Sequence, residues 1–203
     1  MGSILSKIIS SSRPSIILDT NRAPTTSSTQ KDPASYTFQF LSSASINSAS
    51  LLDECNRVFL SDFGPGHRID PPLPSGLLVL AACEGGNTAA GVVTLHHYAR
   101  TCAWELGTVS AAAPHKHRDI MRFLLAEAPA AIRCWHNNKK DARRPSVAWL
   151  VKRVKQTNAT LIATMESMGF EAPQHFMVGV LSDEGYVPFD PVDEMLMKRA
   201  VLF

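Results

Sequence analysis

A chain of 203 residues with 45% apolar content and a formal net charge of +2 is long enough to bury one substantial core and short for two. The charge is too mild to imply a nucleic-acid groove, and no stretch approaches the ~20 apolar residues of a membrane span. Cys55, Cys83, Cys102 and Cys134 are widely spaced and match neither a zinc site nor a disulfide framework, so a reduced, cytoplasmic setting is the simpler expectation.

Residues 1–35 are crowded with Ser, Thr and Pro and hold no run that could bury a core face, which predicts a disordered N-terminal tail ahead of one domain over 36–203. The start, "MGSILSK", satisfies M-G-x-x-x-[ST]. With Met1 removed, Gly2 offers the amine for a myristoyl chain and Ser6 stands at the required position. One such chain gives weak, reversible membrane association, to which Lys7 and Arg13 would add attraction for anionic lipid. Two other readings stay open: a mitochondrial transit peptide, from the Ser-rich composition around Lys7, Arg13 and Arg22, and a plain tail.

In "SYTFQFLS" Tyr36, Phe38 and Phe40 alternate on one face, as in a strand. "INSASLLDECNRVFLSDFG" then sets Ile46, Leu51, Val58, Phe59 and Phe63 at helical spacings and stops at Gly64. The Pro-rich "GPGHRIDPPLPSG" is a loop. "LLVLAACEGG" and "AAGVVTLHHYAR" read as two strands joined by a hairpin at "EGGN", where Gly and Asn accept positive φ. "AWELGTVSAAA" is a further strand ending at Pro114. The next segment, "HKHRDIMRFLLAEAPAAIRCW", places Ile120, Phe123, Leu124 and Ile132 on a helical face, with Pro129 expected to break or kink it. A basic loop, "HNNKKDARRP", leads to a strand in "SVAWLVKRV", a helix in "QTNATLIATMESMGF", and two closing strands in "QHFMVGVLS" and "DEMLMKRAVL". The order predicts an α/β, or layered α+β, domain with a central mixed sheet of about six to seven strands flanked by helices.

Three local patterns within this order resemble the GCN5-related N-acetyltransferase (GNAT) superfamily, of which the chain would be a divergent member. "SVAWLVKRVKQTNATLIATMESMGF" is similar to the family's fifth strand and its N-x-x-A-x-x-x-Y-x-x-x-G-F helix, with Asn158, Gly169 and Phe170 at matching positions. Gly91 in the hairpin occupies the family's "ivG" place. "WELGTVSAAAP" is similar to the fourth strand, which runs to a Pro before the cofactor-binding helix. The resemblance spans about residues 36 to 202.

That resemblance implies an acetyl-CoA-dependent N-acetyltransferase, using acetyl-CoA or another acyl-CoA and an amine acceptor. Two alternatives are an inactive GNAT-like binding or regulatory domain, and a GNAT-like enzyme with repurposed chemistry. It implies that Ser110, Ala111 and Ala112 flank the thioester and pantetheine, and that Glu105 lies where some members carry a catalytic base. The family's phosphate turn, Q/R-x-x-G-x-G/A, corresponds to "HKHRDIMR" here, without glycine. His117, Arg118 and Arg122, with His115 and Lys116, would bind phosphates through side chains instead. Asp119 opposes this and Ile120 crowds the usual path. Met165 stands where the family often has a proton-donating Tyr. Asn158 is both the family's motif Asn and, read locally, an N-cap. His96 and His97 are further base candidates on opposite faces of their strand, and Tyr98, in phase with His96, is a candidate acid. Lys139, Lys140, Arg143 and Arg144 form a basic loop read mainly as solvated.

Overall fold

The structure, a computed structural model, describes residues 36–43, 49–115, 118–138, 145–172 and 193–203. In chain order the elements are β1 (Thr37–Ser42), α1 (Ala49–Phe63), β2 (Leu77–Glu84), β3 (Thr88–Tyr98), β4 (Ala103–Ala111), α2 (Arg118–Asn138), β5 (Val147–Lys155), α3 (Ala159–Ser167) and β6 (Glu194–Leu202). Single 3-10 turns sit at Pro65–His67 and Ala113–His115. The expected tail with Gly2, Lys116, His117, the side chain of Arg118, the basic loop at 139–144 and the "QHFMVGVLS" strand lie outside the described residues, as does Ile46.

The six strands form one sheet in sequence order. All neighbours are antiparallel except β4 and β5, which run parallel. A parallel pair needs a crossover, and α2 lies within that connection. This is the mixed α/β sheet that the sequence predicts.

Both faces of the sheet are covered, which is why β2 reads as the unbroken apolar run "LLVLAAC" rather than as an alternating strand. Leu78, Leu80 and Ala82 enter the core under α2 and α3, with Val93, Leu95, Trp104, Leu106, Ile120, Leu124, Met165 and Phe170. Leu77, Val79, Ala81 and Cys83 enter the core under α1, with Leu51, Leu52, Cys55, Val58 and Phe59. Phe63, expected on the buried face of α1, is instead 44% exposed. It is the last residue of the helix and packs on the His67 ring at 5.0 Å. The hairpin is as expected, with Gly85 and Gly86 both at positive φ.

Helix α2 runs continuously through Pro129, so the proline does not break it. Proline removes one backbone hydrogen bond there, but Leu124, Leu125, Ala128, Ala131, Ile132 and Trp135 bury one continuous stripe on the sheet and hold both halves of the helix against it. The helix comes so close at Gly91 that a Cβ there would lie 2.8 Å from Ile120 Cγ1 and 3.1 Å from Leu124 Cδ1. Glycine at this position is a packing requirement.

Asn158 caps α3, its Oδ1 accepting from the Leu161 amide at 3.0 Å. That bond satisfies one of the orphan N–H groups of the first turn. Asn158→Ala is expected to cost about 1 kcal/mol, read as a lower midpoint in urea at unchanged slope. The chain turns after α3 at Gly169, φ 80, with Met165 inside the helix and Phe170 just past the turn both in the core.

Candidate active site

Strands β4 and β5 pair over only three positions, Ala103 with Trp149, Trp104 with Leu150 and Glu105 with Val151. Beyond Glu105 they part. β4 also carries a bulge: Val93 and Leu95 of β3 pair with Val109 and Leu106, so Gly107 and Thr108 together face Thr94. The Thr108 amide donates to Thr94 Oγ1 at 2.9 Å instead of to the ladder. A Cβ on Gly107 would lie 2.5 Å from that oxygen and 3.3 Å from His96 Cδ2. Only glycine allows the bulge to sit beneath the His96 ring.

At the vertex of this fork three of the expected residues meet. His96 pairs with Glu105 across the β3–β4 ladder. Tyr98 Oη donates to Glu105 Oε2 at 2.9 Å. Arg153, from β5, approaches Glu105 Oε1 at 3.3 Å through both Nε and Nη2. The Glu105 side chain is only 12% exposed, so these partners replace much of the water that a carboxylate needs. His96 is exposed along part of its ring, yet desolvation of the remainder lowers its pKa, and the nearby Glu105 charge pulls in the opposite direction. A pocket of about 230 Å³ opens between residues 74–77 and the His96–Ala99 end of β3.

His97 turns to the other face, as strand alternation requires. Its ring lies 4.6 Å from Trp104, 4.8 Å from Trp135 and 5.5 Å from His136. The two histidines are therefore separated by the sheet, with His96 beside Glu105 and His97 in an aromatic stack.

The remaining expected residues divide by element. Ser110 is buried and donates to Asp62, with the Val58 carbonyl oxygen 3.3 Å from the same hydroxyl, joining β4 to the end of α1. Ala111 and Ala112 are buried on opposite faces, and the Ala112 amide is committed to the Ala90 carbonyl at 2.9 Å. Ile120 is a core residue against Gly91, Asp119 is half-buried and Arg122 is exposed. Arg118 opens α2. Asn158 is exposed and serves as the cap of α3. His115 is held by Tyr36 Oη, 3.2 Å from Nδ1, and by Glu84 Oε2, 3.2 Å from Nε2, so its ring bridges β1, β2 and the segment after β4.

Two features escaped the sequence reading. Arg153 was not singled out, although it lies in phase with Trp149 and Val151 on the Glu105 side of the sheet. Lys152 was also passed over, although it is in phase with Ala148, Leu150 and Val154, all core positions. A lysine in the buried phase of a strand was a legible signal. Burial also pushes the thiols of Cys55 and Cys83 up to about 12 and about 11, which removes both as nucleophiles at neutral pH. Among the described residues no cluster of His, Cys, Asp and Glu could hold a metal ion, and no helix is long and apolar enough to cross a membrane.

No family model and no curated protein matches the chain in sequence. Solved structures do match it in shape. Tetrahymena GCN5 superposes with a TM-score of 0.54 at 13% identity, covering 81% of this chain and 95% of that one. The ribosomal-protein-S18-alanine N-acetyltransferase of Escherichia coli gives 0.51 at 14%, covering 82% and 95%. The IAA acetyltransferase of Bacillus cereus gives 0.50 at 14%, covering 82% and 99%. At such identities the likeness is one of architecture, and the chain has the fold of the GCN5-related N-acetyltransferases.

Proposed function

We propose that this chain is an acyl-CoA-dependent N-acetyltransferase with its reaction centre at the β4–β5 fork. The observation that carries the reading is the placement of Glu105, with His96 and Tyr98, at the vertex where the two strands separate. Past that vertex β4 has no strand neighbour on its β5 side among the described residues. The pantetheine arm of CoA is a chain of amides, and an open strand edge complements it as it would an added strand. Ser110, Ala111 and Ala112 continue that edge towards α2, whose N-terminal end favours anions. Arg122, with Arg118 and His117, is the basic set assigned to the phosphates. Ile120 and Asp119 shape the same turn, and Asn158 has its role in α3 rather than at the ligand. The bound acyl-CoA supplies an activated thioester carbonyl.

The chain's own task is to prepare the amine. Glu105, which accepts from Tyr98 and faces Arg153, takes its proton directly or through water. His96 is a second base in reach of the same face, and its lowered pKa keeps it neutral near pH 7. Tyr98 is the candidate proton donor, because Met165 is buried in the core and has no proton to give. The pocket beside His96 is smaller than a typical small-molecule site of ~300–1,000 Å³, which fits a small amine or the terminal residue of a peptide. His97, inside the aromatic stack, is assigned to stability.

Thermal melting with acetyl-CoA, with CoA and without ligand tests this reading. Ligand at 100 times its Kd adds about 2.7 kcal/mol to the folded state, an upward shift of roughly 5–10 °C for a chain of this size. A melting curve unmoved by millimolar acetyl-CoA and CoA would overturn it in favour of a GNAT-like domain that has lost its ligand, a reading favoured by the glycine-free turn.

A further inference from the structure

The fork holds one side chain that the proposed transfer does not use. Lys152 Nζ, reaching from β5, lies 3.0 Å from the Leu106 carbonyl oxygen and 2.8 Å from that of Gly107. Successive carbonyls in a regular strand point to opposite sides, so one nitrogen cannot meet two of them. The bulge at Gly107 and Thr108 turns both towards β5 and builds a two-acceptor seat for this amine. Lys152 is half-buried there. Desolvation lowers its pKa, Glu105 opposes that shift and Arg153 adds to it. When it is deprotonated, the Lys152 amine has two N–H bonds and one lone pair. The two carbonyls take both N–H groups, and the lone pair is then directed away from them.

We propose that Lys152 is a self-acylation site of this protein, its amine seated by the β4 bulge beside the position of an acyl-CoA thioester. The inference rests on the reading of the fork as the acyl-CoA site. In the step, the Lys152 lone pair forms a C–N bond to the acyl carbon and the C–S bond breaks. The bonding pair leaves on the CoA sulfur, and the proton lost by the nitrogen ends on that sulfur as a thiol. The product is an amide with a single N–H. It can therefore keep only one of the two carbonyls of Leu106 and Gly107 satisfied, so acylation alters the fork itself.

Lys155 and Lys198 serve as internal comparators. Lys155 is exposed at the end of β5, and Lys198 pairs with Glu171 at 3.4 Å and lies over the Trp149 ring. The full chain is incubated with acetyl-CoA, its intact mass is followed and the modified peptides are mapped. The expected result is a gain of one acetyl group, on Lys152 well ahead of Lys155 and Lys198. The preference should vanish when the same incubation is run in denaturing urea, and the gain should be lost in Lys152→Arg. If CoA raises the melting temperature and Lys152 stays unmodified, or is modified no faster than Lys155, this proposal is overturned and the proposed function stands. If CoA leaves melting unmoved and no acetyl group is gained, both are overturned. Mapping of the wild-type chain decides the matter even if the arginine variant does not fold.

Discussion

Glu105→Gln is expected to lower acetyl transfer to an amine by about 10²–10⁴-fold, the range for losing a positioned general base, while the melting temperature barely moves. The substitution is isosteric. Its amide oxygen can still accept from Tyr98 Oη, now 2.9 Å from Glu105 Oε2. What is lost is the capacity to take a proton and the charge that faces Arg153. Arg153, at 30% exposure, can be resolvated once the facing charge is gone, so the change in stability stays small beside the loss of turnover. Initial rates at saturating acetyl-CoA, with urea denaturation of the same samples, provide the check. Unchanged turnover in Glu105→Gln would transfer the base to His96, which lies opposite it in the ladder. His96→Asn would then show the loss.

Trp104→Ala is expected to cost about 3–5 kcal/mol of folding stability, the largest structural effect of any single truncation considered. Trp104 is fully buried, with the Trp135 and His97 rings 4.8 and 4.6 Å from its own. Its Nε1–H donates to His136 Nε2 at 3.4 Å, which fixes His136 as the tautomer protonated on Nδ1. Truncation therefore opens a cavity between β4 and α2 and removes the donor from a buried ring nitrogen. Trp104→Phe keeps most of the apolar area and loses only the donor, so its cost should fall between wild type and Ala. Urea midpoints of the two variants test the order, and equal stabilities for Ala and wild type would remove the aromatic stack as a stability element.

The contrast between these two substitutions follows from strand alternation. Trp104 and Glu105 are adjacent, yet one side chain enters the core under α2 and the other lies on the opposite face of the sheet. The same alternation divides His96 from His97. From the sequence the pair was recognisable as two candidates of which only one could face a cleft. Which of them did depends on the register of β3 against β4, and that register is shifted by one residue at Gly107 and Thr108.

Local patterns carried the element order a long way. The period-2 strand at Tyr36, Phe38 and Phe40, the glycine hairpin at 85–86 and the Asn158 cap each depend on residues within a few positions of one another, and all three stand in the structure. Pro129 and Phe63 departed from expectation for opposite reasons. Burial along α2 outweighed the local cost of proline, whereas Phe63, the last residue of α1, packs on His67 and stays largely exposed.

By itself the sequence determined an α/β domain with a central mixed sheet flanked by helices, because hydrophobic periodicity and turn chemistry are properties of short segments. The chain's third dimension alone decided the fork, the grouping of Glu105 with Tyr98 and Arg153, and the seat of Lys152 on two carbonyls of β4. Glu105 and Arg153 are 48 residues apart, and Lys152 and Gly107 are 45 apart. Contacts at that separation arise from strand pairing and crossover, which no local pattern encodes.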